Sequence, residues 1–328
     1  MSKILVTGGS GFIGSHFVDI ALKNNDFVIN LDKQTYASNK RAIKQKNYLE
    51  IKGNICNFNL IKKILTNYEP DYIINFAAET HVDNSIRSPK VFFKTNIDGV
   101  INIIENLKNN KKFKKFIQVS TDEVYGSLQL KDKPFTKFSP FNPQSPYAAS
   151  KAASDHIIKS YSKTYGLEFI ITHCTNNFGP RQHNEKLIPL VLNRAINNQV
   201  IPIYGNGKNI RDWIYVEDHT KILYKILKNK KFTKDTYLIG SNNEISNIVL
   251  VKKLLNILET QHMQKNLNQL IKYVTDRPNH DFRYSINTDF VKKTLKFKFT
   301  DFQKSLKKTV DYYSENNKRN TKFFKYKN

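Results

Sequence analysis

Short apolar runs that alternate with segments of helical period organise the first half of the chain. The runs have the length and composition of buried strands and lie at residues 3–7, 27–31, 48–52, 72–78, 116–119 and 169–173. Apolar residues at helical spacing predict helices up to about residue 22 and at residues 57–67, 91–107 and 147–165. Strands that alternate with helices predict an α/β fold, a Rossmann-type doubly wound parallel sheet.

Beyond residue 175 the alternation weakens. Strand and loop pieces are indicated at residues 186–190, 202–208 and 211–218, and helices at residues 248–258 and 302–313. We therefore expect a Rossmann domain over residues 1–175 and a smaller lobe formed mainly by residues 176–315, with crossings of the chain between them. Residues 316–328 are polar and basic, and we expect them to form a flexible tail.

Three glycines follow the first predicted strand. Gly8, Gly11 and Gly14 form a variant of the dinucleotide-binding fingerprint, in which glycine permits a tight turn and lets a pyrophosphate approach the N-terminus of the next helix. Asp32 ends the second strand, where a carboxylate accepts hydrogen bonds from the adenosine ribose and repels a 2′-phosphate. The pattern predicts a site for NAD in preference to NADP, a preference that the neighbouring Lys33 weakens.

A hydroxyl and two adjacent carboxyls, Thr121, Asp122 and Glu123, follow the predicted strand at residues 116–119. In open α/β sheets, ligands bind beyond the carboxyl ends of the strands, which is where these residues lie. Tyr147 and Lys151 are four residues apart in a predicted helix and so share one helical face. An ammonium near a phenol lowers the pKa of the phenol. The sequence therefore predicts an acid–base site built from these five residues.

The charge and the rarer residue types limit the other possibilities. The formal net charge of the 328 residues is +25, with lysines spread over most of the chain. This spread is typical of compositional bias, but a basic surface for a polyanion stays possible because clustering on one face is not visible in a sequence. Two cysteines and scattered histidines predict neither a disulfide framework nor a metal site. Without a long apolar run or signal-peptide features, we expect a cytoplasmic protein that does not associate with membranes.

On these residues the chain resembles the nucleoside-diphosphate-glucose 4,6-dehydratases of the extended short-chain dehydrogenase/reductase superfamily. The resemblance extends from residue 3 to about residue 313 and rests on the segments TGGSGFIG (7–14), DKQTY (32–36), AAETHVD (77–83), STDEVYG (120–126), SPYAASK (145–151), NN (176–177), EKLIP (185–189), RDW (211–213) and DRPNH (276–280). It implies an NAD-dependent hydro-lyase that converts dTDP-glucose or UDP-glucose into the 4-keto-6-deoxy sugar.

The resemblance also implies a division of roles. Tyr147, supported by Lys151, would take the proton of the sugar 4-hydroxyl while NAD accepts the C4 hydride, and Thr121 would bond the same oxygen. Glu123 would then remove the C5 proton and Asp122 would protonate the departing C6 hydroxyl, before the hydride returns to C6. Two neighbouring carboxyls repel each other, which raises the pKa of one of them and suits a division into acid and base.

Contacts to both ligands follow from the same resemblance. The residues expected to contact NAD are Gly8, Gly11, Phe12, Ile13, Gly14, Asp32, Lys33, Thr35, Asn54, Ile55, Ala77, Ala78, Thr95, Tyr147, Lys151 and Asn177. Those expected to contact the nucleotide sugar are Thr80, Thr121, Asn176, Glu185, Lys186, Leu187, Pro202, Tyr204, Arg211, Asn247, Arg277 and His280. A homodimer formed through the helices at residues 91–107 and 147–165 is implied as well.

Three positions depart from the family pattern. Asn54 stands where the family usually has an aspartate that bonds adenine, and its amide can still form a hydrogen bond. Thr80 replaces a more usual serine and keeps the hydroxyl. Asn279 replaces the glycine of an Arg-Pro-Gly-His motif, and asparagine tolerates the left-handed conformation better than most residues.

Two other functions compete with the dehydratase. A nucleotide-sugar 4-epimerase or UDP-glucuronate decarboxylase of the same superfamily needs the tyrosine, lysine and hydroxyl, but not the pair formed by Asp122 and Glu123. A non-catalytic, basic nucleic-acid-binding protein would not need the complete set of five. We therefore expect a dehydratase without a specific nucleic-acid partner. The sequence does not distinguish a thymine from a uracil nucleotide, nor does it indicate the downstream pathway.

Overall fold

The computed structural model describes residues 1–39, 41–110, 112–262 and 265–325. The strands are β1 (Lys3–Thr7), β2 (Phe27–Asp32), β3 (Tyr48–Lys52), β4 (Tyr72–Asn75), β5 (Lys115–Thr121), β6 (Phe169–Cys174), β7 (Asn176–Phe178), β8 (Ile201–Tyr204), β9 (Ile210–Tyr215), β10 (Asp235–Ile239), β11 (Glu244–Ser246) and β12 (Ile271–Val274). The helices are α1 (Phe12–Lys23), α2 (Phe58–Tyr68), α3 (Val82–Arg87), α4 (Pro89–Phe93), α5 (Gly99–Leu107), α6 (Pro146–Tyr165), α7 (Leu187–Ile196), α8 (Val216–Lys228), α9 (Asn247–His262), α10 (Asp289–Leu295) and α11 (Phe302–Lys325). A π-helical turn, Lys94–Asp98, joins α4 to α5, and a 3-10 turn, Asp122–Tyr125, follows β5.

Seven parallel strands form the main sheet, in the order β10-β6-β5-β4-β1-β2-β3. The predicted Rossmann-type doubly wound sheet is confirmed. Because the strand order reverses between β1 and β4, a cleft opens beyond the carboxyl ends of these two strands. The Phe76 amide, just after β4, donates to the Thr7 carbonyl at the end of β1 at 2.9 Å, which fixes the two strand ends side by side.

Both faces of the main sheet are covered by helices. Phe17 of α1 and Leu223 of α8 pack on one face, and Ile61 of α2 and Ile104 of α5 pack on the other. All four side chains are completely buried. Burial of apolar surface on both faces is what a parallel sheet requires, and it holds the strand ends rigidly at the cleft.

The second lobe has its own core. Its strands form a sheet in the order β11-β9-β7 and a pair β12-β8, and its buried residues come mainly from α7, α9 and α11. Two elements from the same half of the chain return to the main sheet, because β10 pairs with β6 and α8 packs against α1. The chain therefore passes from one lobe to the other several times.

Several predicted elements differ from those in the structure. Residues 186–190 were expected as strand or loop, but Leu187 starts α7, since Pro189 is tolerated in the first turn of a helix. His81 caps α3 by accepting from the Asn84 amide at 3.3 Å, and Asp83 lies in the first turn of that helix. The sequence pattern did not predict α8, α10 or β10.

The last helix is longer than predicted. The sequence pattern ends it near residue 313, whereas α11 continues to Lys325. Residues 326–328 lie outside the described residues, and the flexibility of residues 316–328 stays a prediction. Among the helices that the structure describes, none is both long and apolar enough to cross a membrane.

Candidate active site

One continuous cleft runs along the carboxyl ends of β1, β4 and β5. Its two halves share Gly8, Gly11 and Ala78, and one half extends toward the end of β2 while the other extends toward the end of β6. Every residue that the sequence analysis expected to contact NAD lies on the wall of this cleft. That these residues contact NAD stays a prediction.

The glycine turn after β1 leaves no space for larger side chains. Gly8 has a φ of +73°, and a β-carbon there would lie 2.6 Å from the amide nitrogen of Ala77. A β-carbon on Gly14 would lie 2.2 Å from the carbonyl oxygen of Gly8. Helix α1 starts after Gly11 without a side-chain cap on its first amides. The open N-terminus of this helix is therefore suited to an anionic group such as a pyrophosphate.

Asp32 connects the glycine turn to the loop after β2. Its Oδ2 accepts from the Ser10 amide at 3.0 Å, and its Oδ1 accepts from the Gln34 amide at 2.7 Å and the Ser38 hydroxyl at 3.1 Å. A carboxylate offers about four acceptor positions. One therefore remains for a ribose hydroxyl, and the two serines are supporting residues that the sequence analysis missed.

The structure accounts for two of the three departures from the family pattern, Asn54 and Asn279. Asn54 Oδ1 accepts from the Cys56 amide at 2.9 Å, so its NH₂ group is the part left for a ligand. Asn279 has a φ of +48°, which confirms the left-handed conformation expected at this position.

The structure brings the five predicted catalytic residues together in the cleft. Thr121 ends β5, its hydroxyl accepts from the Glu123 amide at 3.3 Å, and Asp122 Oδ1 lies 3.3 Å from the same hydroxyl. Tyr147 and Lys151 reach the cleft from the first two turns of α6 and are only 8% and 3% exposed. Two segments distant in sequence thus form one acid–base group.

The two adjacent carboxyls have different electrostatic surroundings. Burial raises the pKa of Asp122 well above its ordinary value, and the nearby charges of Glu123 and Asp212 raise it further. Burial also raises the pKa of Glu123, but Arg277, Lys186 and Arg211 oppose that rise. Asp122 is therefore the carboxyl that more readily holds a proton, and Glu123 is the one that more readily ionises.

Tyr147 differs from the sequence-based expectation. Burial raises the pKa of its phenol well above the ordinary value and Glu123 adds to the rise, while a hydrogen bond from the Thr121 hydroxyl opposes it. The Lys151 ammonium donates to the Val119 carbonyl at 2.7 Å. The predicted net lowering of the Tyr147 pKa is therefore wrong for this structure, because burial outweighs any effect of Lys151.

The residues predicted to contact the sugar nucleotide divide into two groups. Thr80, Asn176, Glu185 and Lys186 line the cleft together with Thr121, and Lys186 Nζ donates to the Thr80 carbonyl at 2.9 Å. The others lie in or near the second lobe and are not among the described cleft-lining residues, namely Leu187, Pro202, Tyr204, Arg211, Asn247, Arg277 and His280. Of these, Arg211 and Arg277 lie close enough to Glu123 to influence its pKa.

Arg211 is held firmly by backbone oxygens. Its Nη1 donates to the carbonyls of Ile210 at 2.7 Å and Phe282 at 3.2 Å, and its Nη2 donates to the Asp281 carbonyl at 2.8 Å. The guanidinium also lies 4.2 Å above the Tyr284 ring. A guanidinium has five N–H donors, so two remain for an anionic ligand.

Asp83 of α3 connects the first domain to the second lobe. Its Oδ1 lies 3.7 Å from Arg277 Nη1, and its Oδ2 accepts from the Tyr204 hydroxyl at 3.2 Å. His280 pairs with Asp276 at 2.6 Å, and burial together with Arg277 lowers its pKa to about 4. His280 is therefore a neutral side chain at physiological pH.

Sequence reasoning missed several residues of the cleft wall. Ser120 opens the segment at residues 120–126, but the others belong to no motif, namely Ala37, Phe76, Cys174, Thr175, Gln182 and His183. Most of them lie at strand ends or in loops, where only the tertiary structure brings them together. The expected absence of a metal site stays a prediction, and within the described ranges no three His, Cys, Asp or Glu side chains are grouped to hold a metal ion.

Comparison with known proteins identifies the family. The dTDP-glucose 4,6-dehydratase of Haemophilus influenzae is 42% identical over 333 residues, which cover 95% of this chain and 98% of that protein. A crystal structure of a Bacillus anthracis dTDP-glucose 4,6-dehydratase in complex with NAD is 39% identical with a TM-score of 0.86, covering 97% of this chain and 98% of that chain. A Thermotoga maritima UDP-glucose 4-epimerase with UDP-glucose has the same TM-score at 27% identity, covering 96% and 99%. A family model described as GDP-mannose 4,6 dehydratase matches residues 5–309, and the chain belongs to this family.

Proposed function

We propose that this protein is a hydro-lyase that converts a nucleoside-diphosphate glucose into the 4-keto-6-deoxy sugar with NAD as a cofactor that is regenerated in each turnover. The observation that carries the proposal is the pair of adjacent carboxyls beside Tyr147, one favoured as acid and the other as base. Elimination of water needs both functions on neighbouring carbon atoms. dTDP-glucose is the first candidate because relatives similar over the whole chain carry its name, and UDP-glucose is the second.

The cleft suits NAD. The glycine turn lets a pyrophosphate reach the N-terminus of α1, and Asp32 keeps one acceptor position for a ribose hydroxyl. When bound, the nicotinamide supplies hydride acceptance from C4 and hydride return to C6. The carboxylate of Asp32 favours NAD over NADP, since a 2′-phosphate would be repelled.

In this proposal Tyr147 deprotonates the sugar 4-hydroxyl and Thr121 forms a hydrogen bond with it. Once deprotonated, the Tyr147 phenolate takes the proton of that hydroxyl, and Thr121 bonds the same oxygen. Because burial holds the phenol in its protonated form, deprotonation must be assisted by positive charge. Lys151, on the next helical turn, provides one such charge in the protein.

Glu123 and Asp122 carry out the elimination. Glu123 removes the C5 proton, which a ketone at C4 makes acidic, and Asp122 protonates the departing C6 hydroxyl. Glu123 then gives a proton back to C5 when the hydride returns to C6. Lys186 and the arginines Arg211 and Arg277 oppose the rise of the Glu123 pKa, which favours its ionised form, and they offer donors to the anionic diphosphate.

The superfamily fold also serves a UDP-glucose 4-epimerase, so fold alone does not select the reaction. An epimerase transfers the hydride back to C4 and needs no acid–base pair for C5 and C6. The adjacent carboxyls therefore favour the dehydratase. We further propose that the protein is cytoplasmic and forms a homodimer through the helical segments at residues 91–107 and 147–165, with no specific nucleic-acid partner.

The test is to incubate the purified protein with dTDP-glucose and UDP-glucose in separate reactions and to follow the sugar by NMR. We expect a 4-keto-6-deoxy product and preference for one of the two nucleotides. Formation of the galactose epimer without loss of water would support the epimerase instead. Absence of any reaction with both substrates would contradict the proposal.

A further inference from the structure

A buried group of four polar side chains lies directly behind the five residues of the acid–base site. Asp155 Oδ2 accepts from the Ser120 hydroxyl at 2.7 Å and lies 3.0 Å from His173 Nε2. His173 Nδ1 lies 2.7 Å from the Tyr125 hydroxyl. Asp155 and His173 are completely buried, and Ser120 and Tyr125 are only 3% and 2% exposed. With Asp155 ionised, Nε2 donates to it and Nδ1 accepts from the Tyr125 hydroxyl.

Three of the four members belong to a segment that also carries a residue of the site. Ser120 lies in β5, directly before the hydroxyl residue of the site, and Tyr125 ends the turn that carries the two carboxyls. Asp155 follows Lys151 by four residues on α6, and His173 lies in the neighbouring strand β6. The four side chains therefore fix the strand end, the turn and the helix relative to one another.

Asp155 lies one helical turn after Lys151 on α6 and acts on it electrostatically. The Lys151 side chain donates to the Val119 carbonyl of β5, which supplies no full charge. Burial lowers the pKa of Lys151, and Asp155 is the largest influence that opposes this, followed by Cys174 of β6. The Cys174 thiol contributes little charge at neutral pH because burial raises its pKa to about 12. Asp155 Oδ1 has no hydrogen-bond partner among the described residues.

We propose that Asp155 is a positioning residue that fixes the two segments of the acid–base site to each other and provides the counter-charge of the Lys151 ammonium. Its kinetic consequences rest on the dehydratase function proposed above, whereas its effect on Lys151 does not. Without the carboxylate, the ammonium loses the opposite charge that stabilises it, so Lys151 releases its proton at lower pH.

The decisive variant is Asp155→Asn, which keeps the volume and can still accept from Ser120 and His173 through its carbonyl oxygen. We expect the pKa of Lys151 to fall by about one unit or more, measured by ¹³C NMR of lysine-labelled protein with Lys151→Met for assignment. The alkaline limb of kcat/KM should move to lower pH by a similar amount. The matched control is Asp218→Asn, which removes a buried carboxylate of α8 that accepts from Thr300 and should leave both quantities unchanged.

The positioning role has its own variant, Ser120→Ala, which removes one hydrogen bond and no charge. We expect kcat to fall by about 2- to 10-fold, the worth of one hydrogen bond, with an unchanged Lys151 pKa. Wild-type kcat in this variant would overturn the positioning role. An unchanged Lys151 pKa in folded Asp155→Asn would overturn the counter-charge role.

Two further outcomes separate the proposals. If the wild type has no dehydratase activity, the proposed function fails, while the NMR titration still decides the role of Asp155. If Asp155→Asn does not fold, the double variant Asp155→Asn/Lys151→Met should recover folding, since it has neither the carboxylate nor the ammonium and leaves no unpaired buried charge. A double variant that also fails to fold would overturn the counter-charge role.

Discussion

Replacement of Glu123 by glutamine separates the two halves of the proposed reaction. The amide keeps the volume of the side chain and leaves Tyr147 and Lys151 in place, but it cannot take the C5 proton. Loss of a positioned base typically costs about 10² to 10⁴ in rate, or about 3–5 kcal/mol of transition-state stabilisation. The substitution also removes a negative charge near Lys186 and Arg277. Both cations are then more available to the anionic diphosphate, which favours substrate binding. The loss should therefore appear in kcat, with a KM that is unchanged or lower.

Stopped-flow absorbance of the nicotinamide is the assay for this variant. On mixing Glu123→Gln with dTDP-glucose, the reduced nicotinamide should accumulate to a large fraction of the sites, with little 4-keto-6-deoxy product. Tyr147→Phe should show no reduction at all, and Glu217→Gln, a partly exposed residue of α8, should behave as the wild type. In D₂O, deuterium at C5 of the product should be strongly suppressed in Glu123→Gln. Turnover near the wild-type rate would refute the assignment of Glu123 as the C5 base.

The remaining predictions concern the cofactor and the pH dependence. The purified protein should contain NAD and should turn over without stoichiometric NADH, which absorbance measures directly; a requirement for consumed NAD would contradict regeneration. The β-carbon of Gly14→Ala would lie 2.2 Å from the Gly8 carbonyl, so this variant should weaken NAD binding by more than roughly tenfold in calorimetry. The control Gly166→Ala has open space around it and should lower the free energy of unfolding by about 1 kcal/mol with unchanged NAD affinity. Lys186→Met removes a cation that opposes the raised pKa of Glu123, so the acid limb of kcat/KM should move to higher pH; a limb that stays in place or moves to lower pH would show that Glu123 does not control it.

The sequence by itself determined the fold class and the chemistry of the site. Alternating strands and helices define the doubly wound sheet, because each periodicity reflects which faces of an element are buried. The glycine fingerprint, Asp32 and the carboxyl pair are each local in sequence, so their types and spacing are visible without coordinates. The grouping of Tyr147 with these carboxyls was predicted from their positions in the expected fold, and the structure places them in one cleft.

Only the tertiary structure decided the pKa values of the site residues and the contacts between segments that are distant in sequence. Lys151 follows Tyr147 by four residues, yet burial and Glu123 raise the phenol pKa, since desolvation depends on the whole surrounding core. The last strand of the main sheet, β10, comes from the second half of the chain, where weak local patterning gives no sign of it. The contact between Asp155 and His173 joins a helix to a strand. No local pattern predicts such a contact, because it depends on how the helix packs on the sheet.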